Sequence, residues 1–373
     1  MRIAVLHDQY LSQGVNGVSG EDNLVNLEIE LLKDRGHEII DLRGIETGLR
    51  RKLLQGSIHV FGYGTGLPSM RKLPEVIHIH NLNQKTGYSW LARSPAPLVQ
   101  SLHNLRAFCS VSIGWRSNHE CYECLKNPGS ILRHSCGGLY GVLGGLRHIL
   151  FQRNRPQLHY PSRIIASSEM MKNLFSQVFP RARIDTIHNP GIRVADNGTG
   201  LSPKGWLFAG RLVPEKGILN LIKYWPETEN LDIAGSGLLH DQVRALTKDR
   251  PNIRLIGVFP NEDRTIYHRY EGLFFTSTWM EGSPLVVADA IANGLPVIAF
   301  GNSAVKEQIS LTGGGVLMET ELSRDSILDG IATVRARAVE LRSWGIHASQ
   351  KQLSTTRWIS QIENSLRLAT KNP

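Results

Sequence analysis

Residues 205–217 read GWLFAGRLVPEKG. Trp206 to Ala209 form a short apolar run that ends at Gly210. A basic loop follows, and Gly217 opens a stretch with helical spacing. This is a strand, a loop and a helix in succession. The unit recurs downstream. LDIAG (231–235), NIRLIG (252–257), GLFFTS (272–277) and LPVIAF (295–300) are further short strands. Helical patterns fit near 217–224, 238–248, 261–270, 284–293 and 303–310.

The same alternation runs upstream. RIAVLH (2–7) reads as a buried strand, and Leu24, Leu27, Leu31 and Leu32 recur at helical spacing until Gly36. EIIDL (38–42), EVIHIH (75–80), APLVQSLH (96–103), RIIASS (163–168) and RIDTIHNPG (183–191) are strand candidates, with a helix starting near Glu169. Strands alternating with helices imply parallel sheets covered on both faces. The stretch ADNGTGLSPKG (195–205) is rich in turn formers and reads as a linker. The sequence therefore predicts two doubly wound, Rossmann-like α/β domains facing across a cleft, with ligands at the carboxyl ends of the strands. The expected boundaries are 1–197, with a cysteine-containing basic insert over about 104–138, then 198–350. An amphipathic C-terminal segment, 351–373, caps the second domain or crosses back to the first.

A length of 373 residues suits two domains. With 41% hydrophobic and 20% charged residues, the composition is that of a globular protein. No apolar run reaches the roughly 18 residues of a membrane span. The first apolar run is broken by His7 and Asp8, which is no signal peptide, so a cytoplasmic location is expected. The net charge of +9 is concentrated. From Lys85 to Arg163 there are ten Lys or Arg against Glu120 and Glu123, a balance of +8. A basic face invites an anionic partner. The segment 137–155 sets apolar residues beside Arg147, His148, Arg153 and Arg155, a pattern suited to a peripheral contact with the inner face of a membrane or to a helix packed on the first domain.

All four cysteines, Cys109, Cys121, Cys124 and Cys136, lie in this segment. The Cys-x-x-Cys pair flanked by two more can close a structural zinc site, and the plain alternative is four free thiols.

Two stretches carry the chemistry. In GRLVPEKG, Arg211 and Lys216 stand beside a helix start, where amides, dipole and cations together favour a pyrophosphate. It is not a Walker loop, because Gly-Lys-Ser/Thr is missing. In STWMEGSPLVVADAIANGLPVIAF (277–300), Glu281 follows a strand and Gly282-Ser283-Pro284 turns into a helix. With the helix starting near Gly282, Asp289 falls about two turns in. Two carboxylates so placed can take hydroxyls on two parts of one ligand.

Taken together, these motifs resemble the family-4 retaining glycosyltransferases of the GT-B fold. Gly210-Arg211 with Lys216-Gly217, then Gly235-Ser236-Gly237, Glu281-Gly282-Ser283-Pro284-Leu285 and Gly294-Leu295-Pro296-Val297 match the family pattern in order and spacing. The resemblance implies a nucleoside-diphosphate sugar donor. Arg211 and Lys216 would hold its pyrophosphate, Glu281 and the amides near Ser283, Pro284 and Leu285 the transferred sugar, Asp289 the ribose, and Gly257-Val258 the base. Asp289 stands where the family has Glu, and Ser283 where an aromatic is commoner. In the first half, VSGEDNLVNLEIELLKDRGHEI resembles a branch with a Gly-Glu-Asp loop, which would place Gly17 and Gly20 under the donor phosphates. SLHNLRAFC resembles the strand ending in His-Asp, with Asn104 for Asp, and implies that His103 contacts the transferred sugar. The same branch carries the Cys-x-x-Cys insert. A saccharide, a lipid-linked saccharide or a small molecule would be the acceptor.

The implied reaction retains configuration. No far-face carboxylate is identified for a covalent route, so front-face attack is expected, with Arg211 and Lys216 stabilising the leaving diphosphate. No Asp-x-Asp occurs, and no cofactor is expected for the chemistry. Three rival functions are open to such a sequence. A dehydrogenase lacks G-x-G-x-x-G at its first turn. A zinc-stapled nucleic-acid binder leaves residues 210–300 unexplained, and nucleic acid is not the expected partner. A non-catalytic sugar-nucleotide binder fits the departures at Asn104, Ser283 and Asp289.

Overall fold

The structure is a computed structural model. It describes residues 1–7, 20–42, 67, 70, 72–81, 90–105, 108–109, 114–116, 119–127, 129–134, 136, 161–179, 182–195, 203–259, 263–301 and 303–371. Gly14, Gly17, Lys85, residues 137–155 and most of the 195–205 linker lie outside them. The chain forms two compact units, Met1–Ile187 with Ile359–Pro373, and His188–Trp358.

In the first unit, six strands make one parallel sheet: β1 (Arg2–Leu6), β2 (Glu38–Asp41), β3 (Val76–His80), β4 (Leu98–Leu102), β7 (Arg163–Ala166) and β8 (Ile184–Thr186). Their order is β2-β1-β3-β4-β7-β8, and every pair is parallel. β3 and β4 lie inside the sheet, and all their residues are buried. Helix α1 (Gly20–Asp34) buries Leu24, Val25, Ile29 and Leu32 along one face. It stops at Gly36, whose φ is +79°.

The cysteine segment adds a two-strand antiparallel ladder, β5 (Trp115–Arg116) with β6 (His119–Glu120), and two single helical turns, α2 (Glu123–Lys126) and α3 (Ser130–Arg133). Helix α4 (Glu169–Val178) is capped by the Ser168 hydroxyl, which accepts from the Met171 amide at 3.2 Å.

The second unit repeats the plan with β9 (Trp206–Ala209), β10 (Leu231–Ala234), β11 (Ile253–Gly257), β12 (Gly272–Phe275), β13 (Val297–Phe300) and β14 (Gly315–Met318). The order is β11-β10-β9-β12-β13-β14, again all parallel. Its helices are α5 (Ile218–Tyr224), α6 (His240–Thr247), α7 (Leu285–Ala292), α8 (Ser303–Thr312), α9 (Arg324–Ala336) and α10 (Ala338–Gln352). Helix α11 (Thr355–Lys371) belongs to the first unit from Ile359 onward. There its Glu363 pairs with Arg35 at 2.9 Å, and Ser365 donates to Asp185 at 2.7 Å. Two doubly wound α/β units are thus the fold expected of this sequence, the GT-B plan of two Rossmann-like domains.

Three local expectations need correction. Residues 264–269 form a 3₁₀ helix rather than an α-helix. Helix α7 begins at Leu285, within one residue of the expected 284–293 but three after the Gly282 start used to place Asp289, with Pro284 as its N-cap. Asp289 therefore lies about one turn in. Strand β14 and helices α9 and α10 add to the elements expected from the sequence, the helical pattern being interrupted by Gly330 and Gly345.

The core of the second unit centres on aromatics. Phe274 packs edge-on against Trp206 and Trp225, with ring centroids 5.4 and 4.9 Å away. All three are buried. Phe274→Ala is expected to cost this unit about 3–5 kcal/mol. Chemical denaturation followed by tryptophan fluorescence would show it as an earlier transition of the component carrying Trp206 and Trp225.

Candidate active site

A parallel sheet sends all its carboxyl ends to one edge. A crevice opens there where the strand order reverses. In the second unit the reversal lies between β9 and β12, the first and fourth strands of that sheet. The two stretches read as chemical leave from these strands.

Thr276 and Thr278 tie the stretches together. The Thr276 hydroxyl donates to the Lys216 carbonyl at 2.9 Å, and the Thr278 amide donates to the Glu215 carbonyl at 2.9 Å. Gly217 sits at φ +72°, where a Cβ would fall 2.1 Å from the Thr276 carbonyl oxygen. Only glycine allows this approach. Gly235 is similar: a Cβ there would fall 1.9 Å from the Gly210 carbonyl. So two glycines of the family pattern are required by loop-to-loop contact.

The consequence is a joined site. Lys216 Nζ donates to Glu281 Oε1, and the Ser277 hydroxyl donates to the same oxygen at 2.7 Å. Lys216 and Glu281 are largely buried. Burial would raise the Glu281 carboxyl. The Lys216 charge, and hydrogen bonds from Lys216, Ser277 and Trp279, outweigh it and hold the group below the ordinary range. Lys216 Nζ lies 5.4 Å from the centre of the Trp279 ring and the Arg211 guanidinium 6.0 Å from it. Arg211 is 62% exposed and touches Glu215 at 3.9 Å. The sum is an anchored cation, an exposed cation and a carboxylate beside an aromatic ring.

Helix α7 starts beside them. The Val287 and Ala288 amides donate to the Pro284 carbonyl at 3.2 Å, while the Leu285 and Val286 amides precede the first intrahelical bond. Ser283 is buried, and its hydroxyl accepts from Gln308 at 3.1 Å. Asn189 donates to the Ser283 carbonyl at 2.7 Å. Asp289 does not join the group. Its Oδ1 accepts from the Ile192 amide at 2.7 Å and its Oδ2 from Arg264 at 3.0 Å. Burial raises its pKa against both partners. Gly257 ends β11 at φ +79° and its carbonyl accepts from the Gly235 amide at 2.8 Å, while Val258 is exposed.

In the first unit the order reverses between β1 and β3. Histidines gather at that edge: His7 after β1, His80 ending β3 and His103 after β4. His103 Nε2 lies 3.0 Å from His80 Nδ1, and the rings stack with centroids 5.3 Å apart. Gly20 is the exposed first residue of α1, and Glu21 and Asp22 after it bond Asn81 and His7.

Residues 195–350 match the family model Glycosyl transferases group 1. An uncharacterized glycosyltransferase of Haemophilus influenzae is 30% identical over 166 residues, 42% of this chain and 47% of that protein. The chain thus spans about half the length of this curated relative. Among solved structures, the sucrose-phosphate synthase of Thermosynechococcus elongatus superposes with a TM-score of 0.69 at 14% identity, covering 100% of both chains. HepE of Anabaena, solved in complex with UDP, gives 0.60 at 16% identity over 98% of this chain and 100% of that one. These two likenesses support the fold.

No disulfide joins the four cysteines. Burial first, and then Cys109, Cys121 and Cys136, push Cys124 up to about 12, so the four are electrostatic neighbours. Among the described residues, the one group of three potential metal ligands within 4.8 Å is Glu28, His78 and His80. The thiols do not stand as a closed cage.

Sequence reading passed over Ser277, Trp279, Arg264 and the histidine cluster. A signal existed for His78 and His80: residues two apart in a strand share a face.

Lys216 neutralises a buried carboxylate, so Lys216→Met is expected to cost about 3–5 kcal/mol at pH 7. Glu281 is depressed in the folded state. Its contribution is therefore present above the ordinary Glu value and lost as pH falls through the lower folded value. Urea unfolding of both proteins from pH 7 downward should show the gap close on the acid side. A gap that widens in acid would contradict the pairing.

Proposed function

We propose that this protein transfers a sugar from a nucleoside-diphosphate sugar to a hydroxyl acceptor. The observation that carries it is the Arg211, Lys216, Glu281 and Trp279 group at the switch point of a sheet inside the segment that matches the glycosyltransferase model. Arg211 is exposed and can swing onto a diphosphate. Lys216 is anchored by Glu281 and supplies a second, fixed charge. The Leu285 and Val286 amides at the start of α7 add dipole to the same anion or to sugar oxygens. Glu281 keeps one oxygen for Lys216 and Ser277, and its other oxygen can accept from a sugar hydroxyl.

The proposed chemistry is retaining, metal-independent front-face attack. Charge grows on the departing diphosphate, where Arg211 and Lys216 stabilise it most. The departing oxygen takes the acceptor's proton. Asp289 enters this reading as a brace that joins Arg264 to the Ile192 backbone, and its remaining lone pairs can accept from the ribose. A saccharide, lipid-linked or small-molecule acceptor fits. Among the described residues no helix is long and apolar enough to cross a membrane.

The cysteines are proposed as a structural module. Zinc would be held by Cys109, Cys121, Cys124 and Cys136 after closure of their present spacing. No catalytic step is routed through it. Metal analysis of purified protein should find about one zinc per chain, lost in Cys121→Ser/Cys124→Ser. Metal-free, stably folded protein would remove zinc from this proposal.

The donor site is tested by thermal stability with UDP, GDP and TDP. A diphosphate at a hundred times its dissociation constant should stabilise by about 2.7 kcal/mol. The response should collapse in Arg211→Ala, which leaves the buried pair intact. Stabilisation by none of the three, with folded protein at low salt, would refute the pyrophosphate assignment. Binding with no turnover on any acceptor would instead favour a non-catalytic sugar-nucleotide binder.

A further inference from the structure

The first unit buries an unusual set of polar groups. Glu28 of α1, His78 and His80 are 1%, 0% and 1% exposed. His78 Nδ1 lies 2.6 Å from Glu28 Oε1, and His78 Nε2 lies 2.8 Å from the Ser101 hydroxyl. His80 Nε2 faces Glu28 Oε2 at 3.6 Å and His80 Nδ1 faces His103 Nε2 at 3.0 Å. His7 sits beside His80, with ring centroids 6.0 Å apart, and is bonded to Asp22 at 2.8 Å.

These contacts fix proton positions in sequence. Burial would raise the Glu28 carboxyl, but His78 and His80 outweigh it, and the group is held well below the ordinary range. An ionised carboxylate only accepts. A lone pair on His80 Nε2 would be repelled by it, so Nε2 carries the proton. Burial lowers His80 to about 4 despite the attraction of Glu28, so the ring is neutral and carries one proton. Its Nδ1 is then an acceptor. His103 Nε2 must therefore be the donor of the 3.0 Å bond. Burial, and next the neighbouring His80 and His7, push His103 well below the ordinary histidine value. It too is neutral, so its proton is spent on His80 and Nδ1 keeps a lone pair. Among the described residues no hydrogen-bond partner meets that nitrogen. The backbone is held as well: the His103 amide donates to Asn81 Oδ1 at 2.8 Å, and Asn81 is pinned by Gln100 and Glu21.

We propose that Glu28 and His80 are positioning residues that lock His103 as a hydrogen-bond acceptor through Nδ1, directed at a hydroxyl of a bound sugar. The locked tautomer welcomes an O–H donor and disfavours a bare phosphate or carbonyl oxygen. The identity of the ligand rests on the transferase reading above. The tautomers do not.

The test is therefore spectroscopic first. Long-range ¹H–¹⁵N correlation on ¹⁵N-histidine protein at pH 7, assigned with His80→Gln and His103→Gln, reads each ring directly. Both His80 and His103 should carry the proton on Nε2, with a bare Nδ1. In Glu28→Gln the amide can donate as well as accept, and the single tautomer of His103 should give way to a mixture. A proton on His103 Nδ1 in the wild type would overturn the proposal. So would an unchanged His103 in folded Glu28→Gln. If that variant does not fold, the wild-type spectrum decides alone. A stoichiometric divalent ion lost in His78→Ala would also overturn it, since His80 Nε2 would then be a ligand.

The second arm is turnover of a UDP-sugar, with water or an added acceptor. Glu28→Gln should lower kcat at least about tenfold, with the donor KM changed far less. Unchanged kcat with altered tautomers would overturn the positioning role. Absence of wild-type turnover, with the tautomers as stated, would sink the transferase reading and leave the relay standing as a property of the fold.

Discussion

Everything chemical in this protein depends on one constraint: both sheets are wholly parallel. Parallel strands need crossover helices, and the helices cover both faces. Loops after the strands then collect at one edge. Where the order reverses, consecutive crossovers diverge to opposite faces and leave a crevice. β9 and β12 flank that place in the second unit, and β1 and β3 in the first. Lys216 and Glu281 stand 65 positions apart in the chain, yet the β9–β12 pairing makes them neighbours.

The two edges handle buried charge differently. Around Glu281, one carboxylate meets one lysine, and the exposed Arg211 is left to move. That arrangement suits an anion that comes and goes. Around Glu28, the carboxylate is surrounded by imidazoles and sealed from solvent. Burial there lowers His80 and His103, and a neutral imidazole has distinguishable nitrogens. Asp289 belongs to neither group. Arg264 and the Ile192 amide use both its oxygens, so it stiffens the segment from Asn189 to Val194 against α7.

The glycines bind this argument to the sequence. Gly217 and Gly235 look like phosphate-loop residues, and they do border the site. Their immediate reason is nearer: each removes a Cβ that would strike a backbone carbonyl of the adjoining loop. The pattern is a packing requirement that also opens the site to a ligand.

Much of this was legible in the chain. Alternating apolar runs and helical periods settle the α/β class, because strand and helix have different repeats. Arg211, Lys216 and Glu281 were legible too, since each sits just after a strand beside a helix start. A helix near 284–293 is legible, but whether Pro284 stands inside its first turn or caps it is not, and that decides how deep Asp289 lies. Helices α9 and α10 were hidden by Gly330 and Gly345. Only the tertiary structure decided partnership. It showed that Asp289 is bonded to Arg264 and the Ile192 amide, that Trp279 lies beside two cations, and that Glu28, His78, His80 and His103 stand in one chain of contacts. Those facts turn on strand order and on distances between residues far apart in the chain, and a local pattern carries neither.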